Sequence, residues 1–209
     1  MSAPGNDASS RQTELQKMLA GELYRCGDPE LARMRLRARG LVRSYNSTNE
    51  DEPDRRREIL NELFGHAGKN IEIEPPFRCD YGTFISMGDH TFLNFDCVIL
   101  DCNHVTIGER CLIAPGVHIY AATHPTNPEI RRSGLENTAP VTIGNNVWIG
   151  GRTVICPGVS IGDDVCIGAG SVVTRDIPSG MVAFGNACRV VRPVDRTDQT
   201  DGARRGGLV

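Results

Sequence analysis

The chain of 209 residues carries 23 lysines and arginines against 26 aspartates and glutamates, a formal net charge of −3 at pH 7. This balance produces no overall positive field and argues against a nucleic-acid-binding protein. No apolar run approaches the roughly 20 residues of a membrane-spanning helix, and the N-terminus lacks the apolar segment of a secretory signal. We therefore expect a cytoplasmic protein with neither nucleic acid nor membrane as its partner.

The eight cysteines are scattered along the chain, without a CxxC motif. In a chain without a secretory signal, reduced thiols are the default. Cys97 and Cys111 each stand four residues after an aliphatic position of the repeat described below, where a small side chain should point inward. We therefore expect most of the cysteines to be small buried side chains and not disulfide partners.

The chain divides by composition into four parts. Residues 1–12 and 194–209 are polar and are predicted to be disordered. Residues 13–66 show the period of α-helices, and 67–193 show a different one.

The helical part has clear start signals. Asp28 is a capping residue, Pro29 suits the first turn and Glu30 favours the positive end of the helix dipole. One apolar stripe follows at steps of three and four residues: Leu31, Met34, Ala38, Leu41 and Tyr45. The arginines lie mostly off that stripe and are expected to form a solvated basic face: Arg33, Arg35, Arg37 and Arg39. A further short helix is predicted between Pro53 and Gly65.

From about residue 70 an aliphatic residue recurs every six positions. The uninterrupted series is Ile143, Ile149, Ile155, Ile161, Ile167 and Val173. An earlier series is Met87, Leu93 and Ile99, then Ile107, Ile113 and Ile119. Glycine follows many of these residues, and a small or β-branched residue stands four positions later. This pattern is typical of a hexapeptide parallel β-helix, in which three short strands make one coil and stacked coils align aliphatic side chains in the interior.

The series of aliphatic residues at six-residue steps is interrupted between Ile119 and Ile143. Its 24 residues equal four repeat units, so the coil register is kept while the chain makes an excursion. We place an inserted loop at residues 121–141, containing the breakers His124-Pro125 and Asn127-Pro128. A long loop on a regular framework is a common location for function.

Several stretches together resemble the maltose and galactoside O-acetyltransferases, a family of hexapeptide-repeat acyltransferases that includes nodulation acetyltransferases. They are KMLAGELYRCGDPEL, EPPFRCDYG, FLNFDCVILD, ATHPTNPEIRRSG and VTIGNNVWIGG, and the resemblance covers about residues 14–193. RCDYG and NFDCVILD look more like the maltose-type members.

The resemblance implies a left-handed β-helix, a mainly β fold, preceded by the helical segment. It also implies a homotrimer that binds acetyl-coenzyme A between neighbouring β-helices and transfers acetyl to a sugar hydroxyl, commonly the 6-hydroxyl of a hexose. No metal is expected to be required.

Acetyl transfer to a hydroxyl needs a base, and His124 is our candidate. Imidazole titrates near neutral pH, and His124 stands at the mouth of the inserted loop, before Pro125, where the backbone is restricted. It also matches the family's catalytic histidine. A positioned base typically contributes a factor of about 10²–10⁴ in rate.

A zinc site is a competing interpretation, because some hexapeptide β-helices are carbonic anhydrases with three histidine ligands. This chain has four candidate histidines, which are His90, His104, His118 and His124. They stand at different positions of their repeat units, so we do not expect their side chains to converge on one metal ion.

For the acceptor, the resemblance implies Asn94, Asp80 and Glu136, whose polar groups suit sugar hydroxyls. Cys26 and Cys102 stand where galactoside-type members carry aspartates, which puts galactoside specificity in doubt. Asp101, beside Cys102, is a further candidate.

For the cofactor, Trp148 stands at an outward position of its repeat, and the family match places it by the pantetheine arm. A structural contact between subunits is the alternative for this tryptophan. The match also implies cofactor contacts at Gly151, Ala169 and Arg175, and Thr174 is a further candidate beside them. Arg189 and Arg192, in CRVVRP, are candidate phosphate partners, with a solvated surface role as the alternative.

The resulting hypothesis is an acetyl-coenzyme A-dependent sugar O-acetyltransferase that acts on maltose, glucose or a related saccharide, by direct attack in a ternary complex. Two alternatives remain open. The acceptor could be a galactoside, a chitooligosaccharide or a xenobiotic alcohol, or the chain could be a non-catalytic β-helix that serves as an assembly scaffold.

Overall fold

In the computed structural model, residues 12–197 are described, so the predicted disorder of the two ends falls mostly outside the described part. The helical segment comes first, and a β-solenoid of about six turns follows it. The helices are α1 (Glu14–Ala20), α2 (Pro29–Asn46), α3 (Pro53–Leu63) and α4 (Pro128–Arg132). In residues 12–197 none of these helices combines the length and the apolar character needed to cross a membrane.

The strands are short, mostly two or three residues long. They are β1 (Tyr24–Arg25), β2 (His66–Ala67), β3 (Glu72–Ile73), β4 (Arg78–Cys79), β5 (Ile85–Met87), β6 (Phe92–Leu93), β7 (Val98–Leu100), β8 (Val105–Ile107), β9 (Leu112–Ile113), β10 (His118–Tyr120), β11 (Ala122–Thr123), β12 (Leu135–Thr138), β13 (Val141–Ile143), β14 (Trp148–Ile149), β15 (Val154–Ile155), β16 (Ser160–Ile161), β17 (Cys166–Ile167), β18 (Val172–Val173), β19 (Met181–Phe184) and β20 (Arg189–Pro193).

Three parallel sheets form the walls of the solenoid. The first sheet has the order β2-β5-β8-β13-β16, the second β3-β6-β9-β14-β17-β19-β20 and the third β4-β7-β10-β15-β18. Only the last pair, β19 with β20, is antiparallel. Consecutive strands along the chain visit the three sheets in turn, as the six-residue period predicts.

The aliphatic repeat residues stack across the coils as predicted. In the first sheet Ile107 pairs with Met87 on one side and Ile143 on the other. In the third sheet Ile119 lies between Ile99 and Ile155. Every one of the twelve repeat residues is at most 2 % exposed. The small residues four positions later are also buried: Val147, Thr153, Val159, Val165 and Ser171.

Glycine at the corners allows the coils to stack closely. A Cβ on Gly144 would lie 2.7 Å from the backbone carbonyl carbon of Gly162 in the next coil, well inside contact distance. The corner therefore excludes a side chain because of the approach of a neighbouring backbone, and not because of the local dihedral angles.

The helical segment follows the sequence prediction closely. The Asp28 carboxylate accepts hydrogen bonds from the backbone N–H groups of Glu30 and Leu31 and so caps α2. The stripe on α2 is buried at Leu31, Ala38 and Tyr45, and Met34 and Leu41 are half-buried. The Tyr45 hydroxyl donates to the carbonyl of Ile73 (2.6 Å), which fixes α2 on the first coil.

α3 ends at Leu63, within the predicted boundary at Gly65, and the extended residue Phe64 follows it. One local prediction needs correction. The stretch 121–141 is more ordered than the predicted loop. In it β11 pairs antiparallel with β12, and α4 lies between them with Asn127 as its cap.

All eight cysteines are free thiols. Four are buried, among them Cys97 and Cys111 at the predicted inward positions, and the other four are half-buried.

Replacing Ile143 by alanine is expected to lower the free energy of unfolding by about 2–5 kcal/mol, because the cavity would lie between two stacked coils. Thr142 is the matched control: it lies on the same strand but points outward and is exposed. Thr142→Ala should change stability by no more than about 0.5 kcal/mol. Urea unfolding followed by circular dichroism measures both, and equal losses would contradict the ladder as the source of stability.

Candidate active site

One group of the predicted site residues lies where strands of the third sheet end. Asp80 follows β4, Asp101 and Cys102 follow β7, and the insertion that carries His124 follows β10. Because β4, β7 and β10 are neighbours in that sheet, their C-terminal ends meet at the same edge of three successive coils. The six-residue repeat thus brings together residues that are distant in sequence.

A small antiparallel sheet of β1, β12 and β11 covers this edge. Thr123 pairs with Asn137 and Tyr24 pairs with Glu136. His124 follows directly after β11, and Glu136 lies on β12, the strand that pairs with β11. His124 is exposed at this point, so its imidazole is open to a ligand.

The Tyr24 phenol is fully buried and donates a hydrogen bond to Glu136 Oε2 (3.0 Å). Burial, together with nearby Cys102 and Glu136, raises the pKa of Tyr24 far above its usual range, so the phenol stays a donor. The pKa of the Cys26 thiol is also raised, mainly by burial and further by a hydrogen bond to Glu136. Glu136 therefore accepts a hydrogen bond from the neutral Tyr24 phenol and lies near the neutral Cys26 thiol.

Asp80 and Cys102 form a second pair at this edge. The Cys102 thiol is 6 % exposed and donates to Asp80 Oδ2 at 3.4 Å. Burial, followed by the charge of Asp80, raises the pKa of this thiol well above its usual range. Neither Cys26 nor Cys102 is therefore a ready thiolate nucleophile, and both are neutral polar groups at this edge.

Asp101 cannot contact a ligand directly, contrary to the sequence prediction. It is fully buried, and its Oδ1 accepts the backbone N–H groups of Asp80 (3.0 Å) and Tyr81 (2.9 Å). Burial is the main cause that raises its pKa to about 7. Asp101 instead holds the turn that carries Asp80 and Tyr81.

Arg35 belongs to this cluster, although the sequence prediction placed it on a solvated face. Its guanidinium donates to the Tyr81 hydroxyl and to the carbonyl of Cys26, both at 2.6 Å, and lies 5.6 Å from the centre of the Tyr81 ring. A signal for this was present: Arg35 stands four residues after Leu31 and three before Ala38, on the apolar stripe itself. Tyr24 and Tyr81 were not predicted as site residues either.

We call this cluster the histidine half-site, and its residues are Tyr24, Cys26, Arg35, Asp80, Tyr81, Cys102, His124 and Glu136.

The remaining predicted residues lie on other parts of the solenoid. Trp148 is on β14 of the second sheet, between Leu112 and Cys166, and is 38 % exposed. Asn94 follows β6 of the same sheet, and its side-chain oxygen accepts the Phe95 N–H (2.8 Å). Neither residue is in the part of the fold that holds His124.

Gly151 and Ala169 lie at the corner between the second and third sheets, after β14 and β17. A Cβ on Gly151 would lie 3.2 Å from the carbonyl oxygen of Pro115, so packing within the chain already favours glycine there. Ala169 is exposed.

Farther along, Thr174 and Arg175 are exposed after β18. Arg189 and Arg192 lie on β20, where their guanidinium groups donate to the carbonyls of Cys188 (2.8 Å) and Pro193 (3.3 Å). We call Trp148, Gly151, Ala169 and these four residues the tryptophan half-site. Asn94, predicted to contact the acceptor, lies on the same sheet as Trp148.

The histidines do not form a metal cluster in the described part of the chain. Residues 12–197 contain no group of three or more His, Cys, Asp or Glu side chains arranged to hold a metal ion. His118, for example, lies on β10 and contacts the Tyr120 hydroxyl through Nδ1 at 2.6 Å.

Two family models match the chain. The maltose acetyltransferase hexapeptide capping motif matches residues 17–68, which include α2 and α3, and the bacterial transferase hexapeptide model of six repeats matches residues 140–175.

Known proteins are similar to this chain along most of its length. Nodulation protein L of Rhizobium meliloti is 49 % identical over 86 % of this chain and 98 % of its own. The crystal structure of a maltose O-acetyltransferase from Clostridium difficile 630 is 48 % identical, with a TM-score of 0.87 over 88 % of this chain and 99 % of its own. The structure of galactoside acetyltransferase in complex with coenzyme A is 39 % identical, with a TM-score of 0.88 over 95 % of this chain and 99 % of its own.

Three observations lead to one conclusion: the helices that precede the solenoid, the histidine in an insertion between coils, and the similarity to these proteins along almost the whole chain. The chain is an O-acetyltransferase and belongs to the maltose and galactoside O-acetyltransferase family of hexapeptide-repeat proteins.

Proposed function

We propose that the protein transfers the acetyl group of acetyl-coenzyme A to a hydroxyl, the 6-hydroxyl, of maltose, glucose or a related saccharide. The observation that carries this proposal is the histidine half-site. It combines an exposed imidazole with two carboxylates, Asp80 and Glu136, and one guanidinium, Arg35. Such a set can bind several hydroxyl groups of a sugar while the imidazole receives a proton from one of them.

His124 acts as the general base. As the saccharide oxygen attacks the carbonyl carbon of the thioester, the hydroxyl proton passes to the imidazole and the carbonyl oxygen becomes an oxyanion. When the oxyanion collapses, the carbon–sulfur bond breaks and the imidazolium gives the proton to the departing thiolate. Both substrates are bound together, so no residue of the chain carries the acetyl group, in keeping with the raised pKa values of Cys26 and Cys102.

The side chains around His124 bind the acceptor. Asp80 and Glu136 accept hydrogen bonds from sugar hydroxyls, and Arg35 donates them. Cys26 and Cys102 offer neutral thiols where galactoside-type members carry aspartates, and this departure argues against a galactoside acceptor. Asp101 contributes through the turn that it holds in place.

Acetyl-coenzyme A is assigned to the tryptophan half-site. Trp148 presents a half-exposed ring beside Leu112, and Gly151 and Ala169 leave room for a narrow chain along the corner. Arg175, Arg189 and Arg192, with Thr174, supply donors for the phosphates. The likeness to a structure solved with coenzyme A supports this assignment.

Trp148 lies on the second sheet, whereas the insertion that carries His124 follows a strand of the third sheet, and this separation within one chain supports a homotrimer whose sites form between neighbours. Outward side chains of the first sheet are polar: Ser86, Thr106, Thr142 and Ser160. Those of the second sheet are mostly apolar: Phe92, Leu112, Trp148 and Cys166. Those of the third sheet include Val154 and Val172 in the later coils. Two apolar faces and one polar face suit a closed ring in which each chain contacts two others.

A screen of saccharides tests the proposed activity. Thiol release from acetyl-coenzyme A is expected with maltose or glucose, and mass spectrometry of the product locates the acetyl group. Release with none of the saccharides would contradict the proposal.

Replacing His124 by alanine is expected to lower kcat at least about a hundredfold, because the attacking hydroxyl loses its base. Binding of acetyl-coenzyme A, followed by calorimetry, should be unchanged. His66→Ala is the control, since His66 is exposed on the first sheet. Near-wild-type turnover of the His124 variant would overturn the mechanism.

Arg35→Lys keeps the positive charge but loses the planar fork that bonds both Tyr81 and the Cys26 carbonyl. We expect the KM for the saccharide to rise about tenfold or more, with the KM for acetyl-coenzyme A unchanged. Arg33→Lys, exposed on the same helix, should change neither constant. An unaltered saccharide KM in the Arg35 variant would exclude this residue from acceptor binding.

Leu112→Asp tests the trimer, because it would bury a carboxylate without a partner between two apolar faces. The variant is expected to elute as a monomer in size-exclusion chromatography with light scattering and to lose activity. Thr142→Asp, on the polar sheet, should remain trimeric and active. A fully active Leu112→Asp monomer would refute a site shared between chains.

A further inference from the structure

We propose that the acceptor is an anionic saccharide, and that its phosphate or carboxylate binds in a groove beside α2 that continues from the histidine half-site. This inference rests on the proposed function and narrows its substrate class. It comes from three arginines whose charges the described chain leaves unbalanced.

The groove lies between α2 and the outward face of the third sheet and has a volume of about 480 Å³. Its apolar floor includes Val98 and Leu100, and Asp80 lies at its end. The basic wall consists of Arg39 and Arg43 from α2 and Arg78 from β4.

The groove is firmly built. Asn46, at the end of α2, donates to the Phe77 carbonyl and accepts the Phe77 N–H, both at 2.9 Å. These two bonds fix α2 against the segment that leads into β4. The spacing between the arginines of the helix and Arg78 is therefore held by the fold before any ligand binds.

The groove is also continuous with the proposed acceptor site. Arg35, Arg39 and Arg43 follow one another at steps of four residues, so they lie along one side of α2, about 6 Å apart along the axis. Arg35 belongs to the histidine half-site, and the other two line the groove. Asp80 belongs to both.

The three guanidinium groups of the groove lack acidic partners. Some exposed arginines elsewhere pair with glutamates, as Arg55 does with Glu58 and Arg132 with Glu129. Within residues 12–197, the side chains of Arg39, Arg43 and Arg78 make no ion pair and no hydrogen bond. The one carboxylate in the groove, that of Asp80, already accepts from the Cys102 thiol.

Such an arrangement opposes folding locally, since like charges four residues apart on a helix repel. The helix dipole favours a cation in the last turn, which accounts for Arg43 but not for Arg39 or Arg78. Arginine is the side chain that binds phosphate and carboxylate in a bidentate manner. With a hydroxyl of the acceptor at His124, an anionic group at the far end of the saccharide would lie toward this wall, because Asp80 belongs to both the half-site and the groove.

A matched series of acceptors tests the inference: maltose, maltose 1-phosphate and maltobionate. All three keep the same terminal glucose with its 6-hydroxyl, and the last two place a phosphate or a carboxylate at the other end. For the wild-type protein we expect kcat/KM to be about tenfold or more higher for at least one anionic acceptor than for maltose, and the advantage to shrink as salt rises. The two anionic arms distinguish phosphate from carboxylate.

The double variant Arg39→Gln/Arg43→Gln is expected to lose this advantage while its activity on maltose stays within about twofold. Arg33→Gln, exposed on the same helix but outside the groove, is the control and should keep the advantage. Equal kcat/KM for charged and neutral acceptors in the wild type, or an advantage that survives in the double variant, would overturn the inference.

Calorimetry separates this inference from the proposed function, because binding of the three saccharides can be measured without turnover. Tighter binding of the anionic acceptors that depends on Arg39 and Arg43, without any acetyl transfer, would refute the function but support the groove. If the double variant instead dissociates the trimer and leaves acceptor binding unchanged, the arginines serve contacts between chains and the inference is wrong.

Discussion

The vertical alignment of aliphatic side chains between coils is the constraint on which the rest of the structure depends. Each coil offers two or three residues per wall, too few for a stable sheet alone, and becomes stable because Ile107, Ile143 and their equivalents stack on identical positions above and below. A slip of one residue would turn the ladder outward. This strict register is also what delivers Asp80, Cys102 and the insertion to one edge, since each follows a strand of the third sheet.

Much of the fold could be predicted because it is periodic. The ladder positions, the inward small residues, the cap at Asp28 and the stripe on α2 all follow from spacing alone, and the structure has them where they were expected. The secondary structure of the insertion could not be predicted. The pairing of β11 with β12 depends on contacts across α4 and with β1, and no local sequence pattern indicates those contacts.

The candidate site was predictable only in part, and for a physical reason. His124, Asp80, Glu136, Cys26 and Cys102 were expected together from resemblance, and they do lie at one edge. Burial, which composition does not reveal, removes Asp101 from ligand contact and makes it a support for the neighbouring turn. Arg35 was missed because a charged residue on an apolar stripe was interpreted as solvent-facing, whereas its guanidinium reaches over Tyr81 to polar partners inside the cluster.

The hydrogen bond between Tyr24 and Glu136 joins residues 112 positions apart, and it has a consequence for the order of assembly. Among the described strands β1 pairs only with β12. As the chain leaves the ribosome, α2, α3 and the first coils can pack as they appear, but β1 must wait until residue 136 has been made. The nascent protein therefore passes through a stage in which the first coils, with Asp80 and Cys102, can form while Glu136 and the pairing of β1 with β12 are still missing. The histidine half-site is thus completed only when the beginning of the chain closes upon its middle.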